Sequence, residues 1–318
     1  MTEQDQSTPR CGFFAVIGAP NAGKSTLVNR LVGAKISIVT PKVQTTRARI
    51  RGVLVEDQTQ LIFVDTPGIF TPRRRLDRAM VAAAWDGHDG ADTKLLVIDA
   101  HAYAIADTGD KKARAAARAM DDVQSIIASL KERRSEAILV LNKIDEMPRD
   151  RLLKVVAELD AAGCFSETFL ISAANGDGVD DLKRRLIELT PEGPWHYPED
   201  QLSDISDRLM AAEITREKLF LRLHQELPYQ LTVETTDWTR TQKGELRIDQ
   251  TIYVSKESHK PIVLGKGGQT IKAIGAAARA EMAEILDEPV HLFLHAKVRE
   301  NWLNENSRLR EMGLEPVD

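Results

Sequence analysis

At 318 residues the chain exceeds one typical domain, so two domains are expected. Its 42% hydrophobic content suffices for real cores, and a net charge of −5 supplies no global positive field, so nucleic-acid binding would need a local basic patch. Two cysteines, Cys11 and Cys164, lie far apart without metal-ligand spacing, which argues against a disulfide framework or zinc centre and suits a reducing cytosol.

The first ten residues, MTEQDQSTPR, are polar, carry no apolar core that could serve as a signal peptide, and read as a disordered tail. No stretch approaches ~18 uninterrupted apolar residues, so no membrane span is expected. Short apolar runs then alternate with amphipathic ones. Residues 13–18, 60–64, 94–98, 137–141 and 168–171 read as buried strands, and 24–31, 76–85, 149–161 and 179–189 as helices. That alternation predicts a mostly parallel sheet covered by helices, with the alternating run 47–56 as an antiparallel edge strand. The Ala/Arg-rich run 111–120 reads as helix, inside a long stretch (101–135) between two strands.

The pattern changes at residues 190–201 (TPEGPWHYPEDQ), a proline- and acid-rich run without periodicity that reads as a linker. Beyond it a helix (202–226), two strands (231–236 and 245–254), a helical pair and a last strand (290–298) before a charged tail predict a separate α+β module. The expected division is a domain at 11–190, a linker at 191–201 and a second domain at 202–318.

Residues 18–25, GAPNAGKS, fit G-x-x-x-x-G-K-[ST] between an apolar strand and a helix. The glycines let the backbone turn its N–H groups towards phosphate oxygens, and the following helix N-terminus adds positive charge. Gly18, Asn21, Ala22, Gly23, Lys24, Ser25 and Thr26 are the phosphate-binding candidates. Lys24 is expected to reach the β/γ-phosphates, and Ser25 to ligate Mg²⁺.

The base is chosen elsewhere. In Asn142, Lys143, Ile144 and Asp145 a strand ends in polar side chains. The Asp145 carboxylate can accept from the ring N–H and exocyclic amine of guanine, whereas adenine would leave it unpaired. Asn142 fixes the loop or touches the base edge, and the Lys143 stem can lie over the ring. Ser172 and Ala173 offer backbone N–H groups to guanine O6. Asp65, in Asp65-Thr66-Pro67-Gly68, would hold Mg²⁺ through water, and the Gly68 N–H would touch the γ-phosphate. The segment carrying Thr45 and Thr46 could give a threonine to the metal, Thr46 being favoured and Thr45 the runner-up. Lys24, Thr46, Gly68 and Asn21 are the catalytic candidates. Ile69 has no amide to orient water, which predicts slow, timer-like turnover.

In the second module, residues 262–269 (IVLGKGGQ) carry a GxxG read as following an apolar strand and opening a helix at 270–286. Small residues, free N–H groups and a lysine at a helix N-terminus are what clamping a nucleic-acid backbone requires. Four lysines and one glutamate between Lys256 and Lys272 make a local basic patch. Lys260, Gly265, Lys266, Gly267, Gly268, Gln269 and Lys272 are the RNA-binding candidates. Aromatics are few, so groove recognition is expected over a stacking platform. Trp302 reads as packing, and His88, His224 and His291 as surface or core residues.

With these residues assembled, the chain resembles the translation-factor-related GTPases, and within them the Era-like family. The likeness covers nearly the whole chain from about residue 13. It rests on GAPNAGKS, QTTR, DTPG, NKID and ISA, and on the GxxG module, whose element order resembles a KH domain of the prokaryotic type. The long 101–135 stretch departs from the family pattern. The resemblance implies an α/β P-loop GTPase domain followed by an α+β KH-like domain, with GTP/GDP and Mg²⁺ as ligands. Asn21 matches the asparagine that holds a potassium ion in related GTPases; its alternative role is a turn residue tolerant of unusual backbone angles. Also implied are single-stranded ribosomal RNA near the 3′ end of the small-subunit species, the small subunit during its assembly, and a cytoplasmic monomer with peripheral association at the inner face of the membrane. The competing reading is a signalling GTPase whose last domain binds protein.

Overall fold

The computed structural model describes residues 8–72, 75–105 and 111–300, with 302, 305, 306, 310, 314 and 315, and leaves aside the side chains of 87–89 and 111–115. The expected tail lies outside the described residues through residue 7, as does the His88 side chain. By their contacts the described residues form two units, one within 8–37 and 46–204, the other within 38–45 and 205–315.

The first unit begins with β1 (Arg10–Ile17), which enters α1 (Lys24–Val32) through the loop 18–23. An antiparallel pair follows, β2 (Ile50–Glu56) and β3 (Thr59–Asp65). Then come α2 (Arg75–Asp89), β4 (Thr93–Asp99), α3 (Ala100–Ile105), α4 (Lys111–Glu132), β5 (Ala137–Asn142), α5 (Arg149–Asp160), β6 (Phe165–Leu170) and α6 (Val179–Leu189). The strands order as β2-β3-β1-β4-β5-β6, every pairing parallel except β2 with β3.

Helices on both faces explain why the central strands are mostly apolar; all of β3 and β5 is buried, the polar Gln60, Asp65 and Asn142 included. The expected buried strand at 168–171 is corrected: β6 is an edge strand with no buried residue, and it begins earlier because such a strand accepts the exposed Ser166 and half-buried Glu167. Ile17, Leu96, Leu139, Leu141 and Ile126 share one core cluster, each such side chain contributing about 1.5–3 kcal/mol by burial. From β1 the chain builds β3 on one side and returns to β4 on the other. That reversal places a crevice at the carboxyl ends of the strands, where open α/β sheets bind ligands.

The proline-rich run after α6 is fastened to this unit. Cys11 N donates to Pro191 O (3.1 Å), Gln60 Nε2 to Tyr197 O (2.8 Å), and Val53 N to Leu202 O (2.9 Å). Gln60 is fully buried in β3 and can satisfy its amide only by drawing this segment over itself.

The second unit contains α7 (Asp207–Arg222), β7 (Leu231–Arg240), β8 (Leu246–Val254), the short α8 (Lys260–Leu264), α9 (Gln269–Ile285) and β9 (Val290–Val298). β7 pairs antiparallel and β9 parallel with β8. Alternating burial along β8 and β9 turns Ile248, Ile252, Leu292 and Leu294 towards α7 and α9. Trp302 is fully buried.

The expectation that an apolar strand precedes the GxxG is corrected: residues 260–264 form α8. Pro261 sits in its first turn, where a fixed φ and a missing N–H suit a helix start. The unit also holds residues 38–45 against α7. Val39 N donates to Glu217 Oε1 (2.9 Å), Arg216 Nη2 to Thr45 O (2.5 Å), and Lys42 Nζ to Phe220 O.

Candidate nucleotide site and nucleic-acid interface

The loop 18–23 leaves β1 at the crevice. Gly23 takes φ 94, and a Cβ there would stand 2.2 Å from Asn142 Nδ2, so two motifs far apart in sequence meet at a position without room for a side chain. Asn142 explains the contact. Its Nδ2 donates to Ala22 O and its Oδ1 accepts from Ala173 N, both at 2.9 Å. One amide thus ties the phosphate loop, the 142–145 turn and the 171–173 loop together.

The Ala173 N–H expected to meet guanine O6 is therefore engaged by Asn142, and the Ser172 N–H donates to Asp177 O at 2.9 Å. Ala173 fixes Asn142, and Ser172 fixes its own loop. Asp145 lies exposed in a short 3₁₀ turn after Lys143.

At the phosphate end, Lys24 is buried and donates to Gly18 O (3.1 Å) and Ala19 O (3.0 Å). Burial draws its pKa down to about 8, against the pull of Asp65. Thr26 follows Ser25 in the first turn of α1. Asn21 is exposed at φ 65, a left-handed turn position that asparagine tolerates. Gly68 lies against Pro20, and Ile69 N donates to Gly18 O (3.1 Å), so the 66–69 segment abuts the loop. The Ile69 side chain is buried in the core.

Between these ends runs a chain of oxygens. Ser25 Oγ donates to Asp65 Oδ2 (2.8 Å) and lies 2.8 Å from Thr46 Oγ1. Thr45 turns into its own loop, its hydroxyl meeting Thr40 Oγ1 (2.6 Å) and Lys42 O (2.8 Å). Of the two threonines, the structure brings Thr46 to Ser25 and Asp65. Asp65 is fully buried and its pKa is raised by that burial, which the Ser25 hydrogen bond and the Lys24 charge oppose.

Its other oxygen, Oδ1, is buried without a hydrogen-bond partner. Such an atom costs free energy unless a ligand or water meets it. Two hydroxyls and a carboxylate with a spare oxygen are a hard-cation donor set, fitting Mg²⁺ that takes its remaining ligands from water and phosphate. No cluster of three His, Cys, Asp or Glu suited to a metal occurs among the described residues.

Sequence reasoning missed Asp99 and Arg30. Asp99 Oδ2 accepts from Lys143 Nζ at 2.5 Å. Arg30 Nε donates to Ala173 O (3.1 Å), securing the 173 loop from α1. A polar residue ending the apolar β4 was the available signal for Asp99; Arg30 offered none beyond its place in a helix.

In the second unit the GxxG forms the turn between α8 and α9. Gly265 sits at φ 70, ψ 174, and a Cβ there would fall 2.1 Å from Thr270 Oγ1. Gly267 and Gly268 complete the turn, and α9 starts at Gln269 without a side-chain cap. Lys266, Gln269 and Lys272 are exposed beside these N–H groups and Lys260 is half-buried. Ile262, 54% exposed on α8, adds an apolar contact that sequence reasoning overlooked. Cations, uncapped N–H groups and one apolar side chain suit a phosphate backbone with a base beside it.

The sequence profile described as 50S ribosome-binding GTPase matches residues 13–143, and that described as KH domain matches residues 226–303. The chain is 56% identical over 311 residues to GTPase Era of Bradyrhizobium sp. (strain ORS 278), covering 98% of this chain and 96% of that protein. It is 55% identical over 315 residues to GTPase Era of Caulobacter vibrioides (strain NA1000 / CB15N), covering 99% of both. Among solved structures it is similar to a variant of Aquifex aeolicus Era bound to GDP·AlF4⁻ (35% identity, TM-score 0.86, covering 96% of this chain and 99% of that one). It is equally similar to Era in complex with MgGDPNP and nucleotides 1506–1542 of 16S ribosomal RNA (35% identity, TM-score 0.85, the same coverage).

Proposed function

The chain belongs to the GTPase Era family, and from that premise we propose that it is a slow GTP-driven switch that binds the 3′ region of small-subunit ribosomal RNA and assists assembly of that subunit. The position of Thr46 carries the reading. Its hydroxyl meets Ser25, and Ser25 meets Asp65, at the mouth of the phosphate loop. The residues leading into it, 38–45, are held by α7 beside the GxxG-bearing elements of the same unit.

Lys24 and the loop N–H groups hold the phosphates, Asp145 reads guanine, and Ser25, Thr46 and Asp65 hold magnesium, Asp65 through water. Magnesium there offsets charge on the β- and γ-phosphate oxygens. Gly68 meets the γ-phosphate, and its loss on hydrolysis frees both Gly68 and Thr46. The buried Ile69 leaves no side chain to orient water, so turnover is slow. Asn21 would offer its side-chain oxygen to a potassium ion, its other role being that of a left-handed turn residue. Lys260, Gly265, Lys266, Gly267, Gly268, Gln269 and Lys272 form the RNA clamp. The protein works as a cytoplasmic monomer that meets the membrane peripherally.

Binding of the GTP-loaded protein to a 3′-terminal small-subunit RNA oligonucleotide tests the reading. Lys266→Glu and Gly267→Asp should each weaken it at least about tenfold, from lost charge and lost backbone approach. Unchanged affinity would turn the assignment to the signalling GTPase with a protein-binding last domain.

A further inference from the structure

The 142–145 turn is also held from the end of β4. Asp99 ends β4 directly opposite Asn142 in the β4–β5 register, which brings its carboxylate to the edge of the sheet where the 142–145 turn begins. The two oxygens have separate duties. Oδ1 accepts from Ala102 N at 2.8 Å and caps α3, while Oδ2 accepts from Lys143 Nζ at 2.5 Å. The side chains of Lys143 and Asp99 are 29% and 18% exposed, so the pair is screened less than one on the open surface.

Lys143 also has an unusual backbone, φ 64 and ψ 36, in the left-handed region that long side chains rarely adopt. Such a conformation persists where its surroundings over-determine it. Here Asn142 is fixed on one side by Ala22 and Ala173, Lys143 O accepts from Glu146 N at 3.1 Å, and Asp99 anchors the end of the Lys143 side chain. A free lysine stem would lose the freedom of its rotatable bonds on meeting a ligand. A stem already anchored has lost it beforehand, and the binding step is spared that cost.

We propose that Asp99 is a positioning residue for guanine-nucleotide binding. By holding the Lys143 ammonium in the empty protein, it lays the side-chain stem where the face of the purine arrives. It sets affinity for the nucleotide and leaves the hydrolytic step alone. This rests on the guanine-nucleotide reading of the site.

A double-mutant cycle on the full chain, read as GDP affinity, tests it. Asp99→Asn keeps an oxygen to cap α3 and removes the charge; Lys143→Met keeps an apolar stem and removes the ammonium. Asp99→Asn should raise the GDP Kd about tenfold, within the range of coupling energies between contacting groups. It should do so through faster release, with kcat at saturating GTP unchanged and KM raised. In the Lys143→Met background the same change should have no further effect, because the group Asp99 holds is gone. A Kd within about twofold of the starting protein for Asp99→Asn, or an equal loss in both backgrounds, overturns the proposal. The second result would assign Asp99 a structural role at α3, which a fall in the melting temperature of the nucleotide-free protein in both backgrounds would accompany. Failure of the unsubstituted protein to prefer GDP over ADP would instead overturn the guanine reading and the proposal with it.

Discussion

Lys24 shows how one residue links site and stability. Its pKa in the folded protein is about 8, below its ordinary 10.5, because burial removes water from the charged form, a cost that Asp65 offsets only in part. Between those values the unfolded chain binds more protons than the empty folded protein, so nucleotide-free stability should rise with pH across that window. Bound phosphate acts in the opposite direction, since its charge draws a proton back onto Lys24. GDP affinity should therefore fall as pH rises from 7 to 9, with net proton uptake on binding near pH 8–9. Calorimetry in two buffers of different ionisation enthalpy measures both, and a Kd without pH dependence would contradict this account of Lys24. Asn21 allows a similar separation of roles. Its φ of 65 is a conformation glycine also adopts, so Asn21→Gly preserves the turn and removes the carboxamide side chain with its oxygen. Nucleotide binding should survive while any excess of turnover in potassium over sodium disappears. Equal turnover of the unsubstituted protein in the two salts would leave Asn21 as a turn residue alone.

The elements legible in the sequence were those whose cause is local. The centres of β3, β4 and β5 are buried on both faces and read as short, mostly apolar runs; α6 is amphipathic and its bounds followed from its period. The loop 18–25 was legible because its glycines, lysine and serine answer one local demand. Where the sequence misled, the cause was local ambiguity or long range. Residues 262–264 are apolar and β-branched enough to pass for a strand, and Pro261 tips them into α8. Fastening of the 190–204 run depends on Gln60, buried more than a hundred residues earlier. The grip on residues 38–45 depends on Arg216, 171 residues from Thr45. Asp99 belongs to the same class, its partner Lys143 lying 44 residues away. Motifs revealed which side chains meet the ligand, and long-range pairs reveal what holds those side chains in place.

For the whole molecule the consequence is thermodynamic linkage. The peptide bond between Thr45 and Thr46 joins two environments: Thr45 O accepts from the buried Arg216, and Thr46 Oγ1 meets Ser25 beside Asp65. We expect a nucleotide that draws in Thr46 to act along the chain on the adjoining bond between Thr45 and Arg216. If the GTP-bound form favours RNA, RNA must favour the GTP-bound form by the same factor. We expect RNA affinity with a non-hydrolysable GTP analogue to exceed that with GDP by about 5–150-fold, the usual span of such couplings. The preference of the protein for the analogue over GDP should rise in the presence of RNA by an equal factor. Arg216→Met, which keeps the buried volume and removes the bond to Thr45 O together with the Glu213 ion pair, should shrink both factors together while leaving GDP binding intact. The four affinities close a cycle, so the two factors measured independently must agree. RNA affinity that is the same in both nucleotide states would show that GTP turnover does not report on RNA, and the switch would then have to act on another partner.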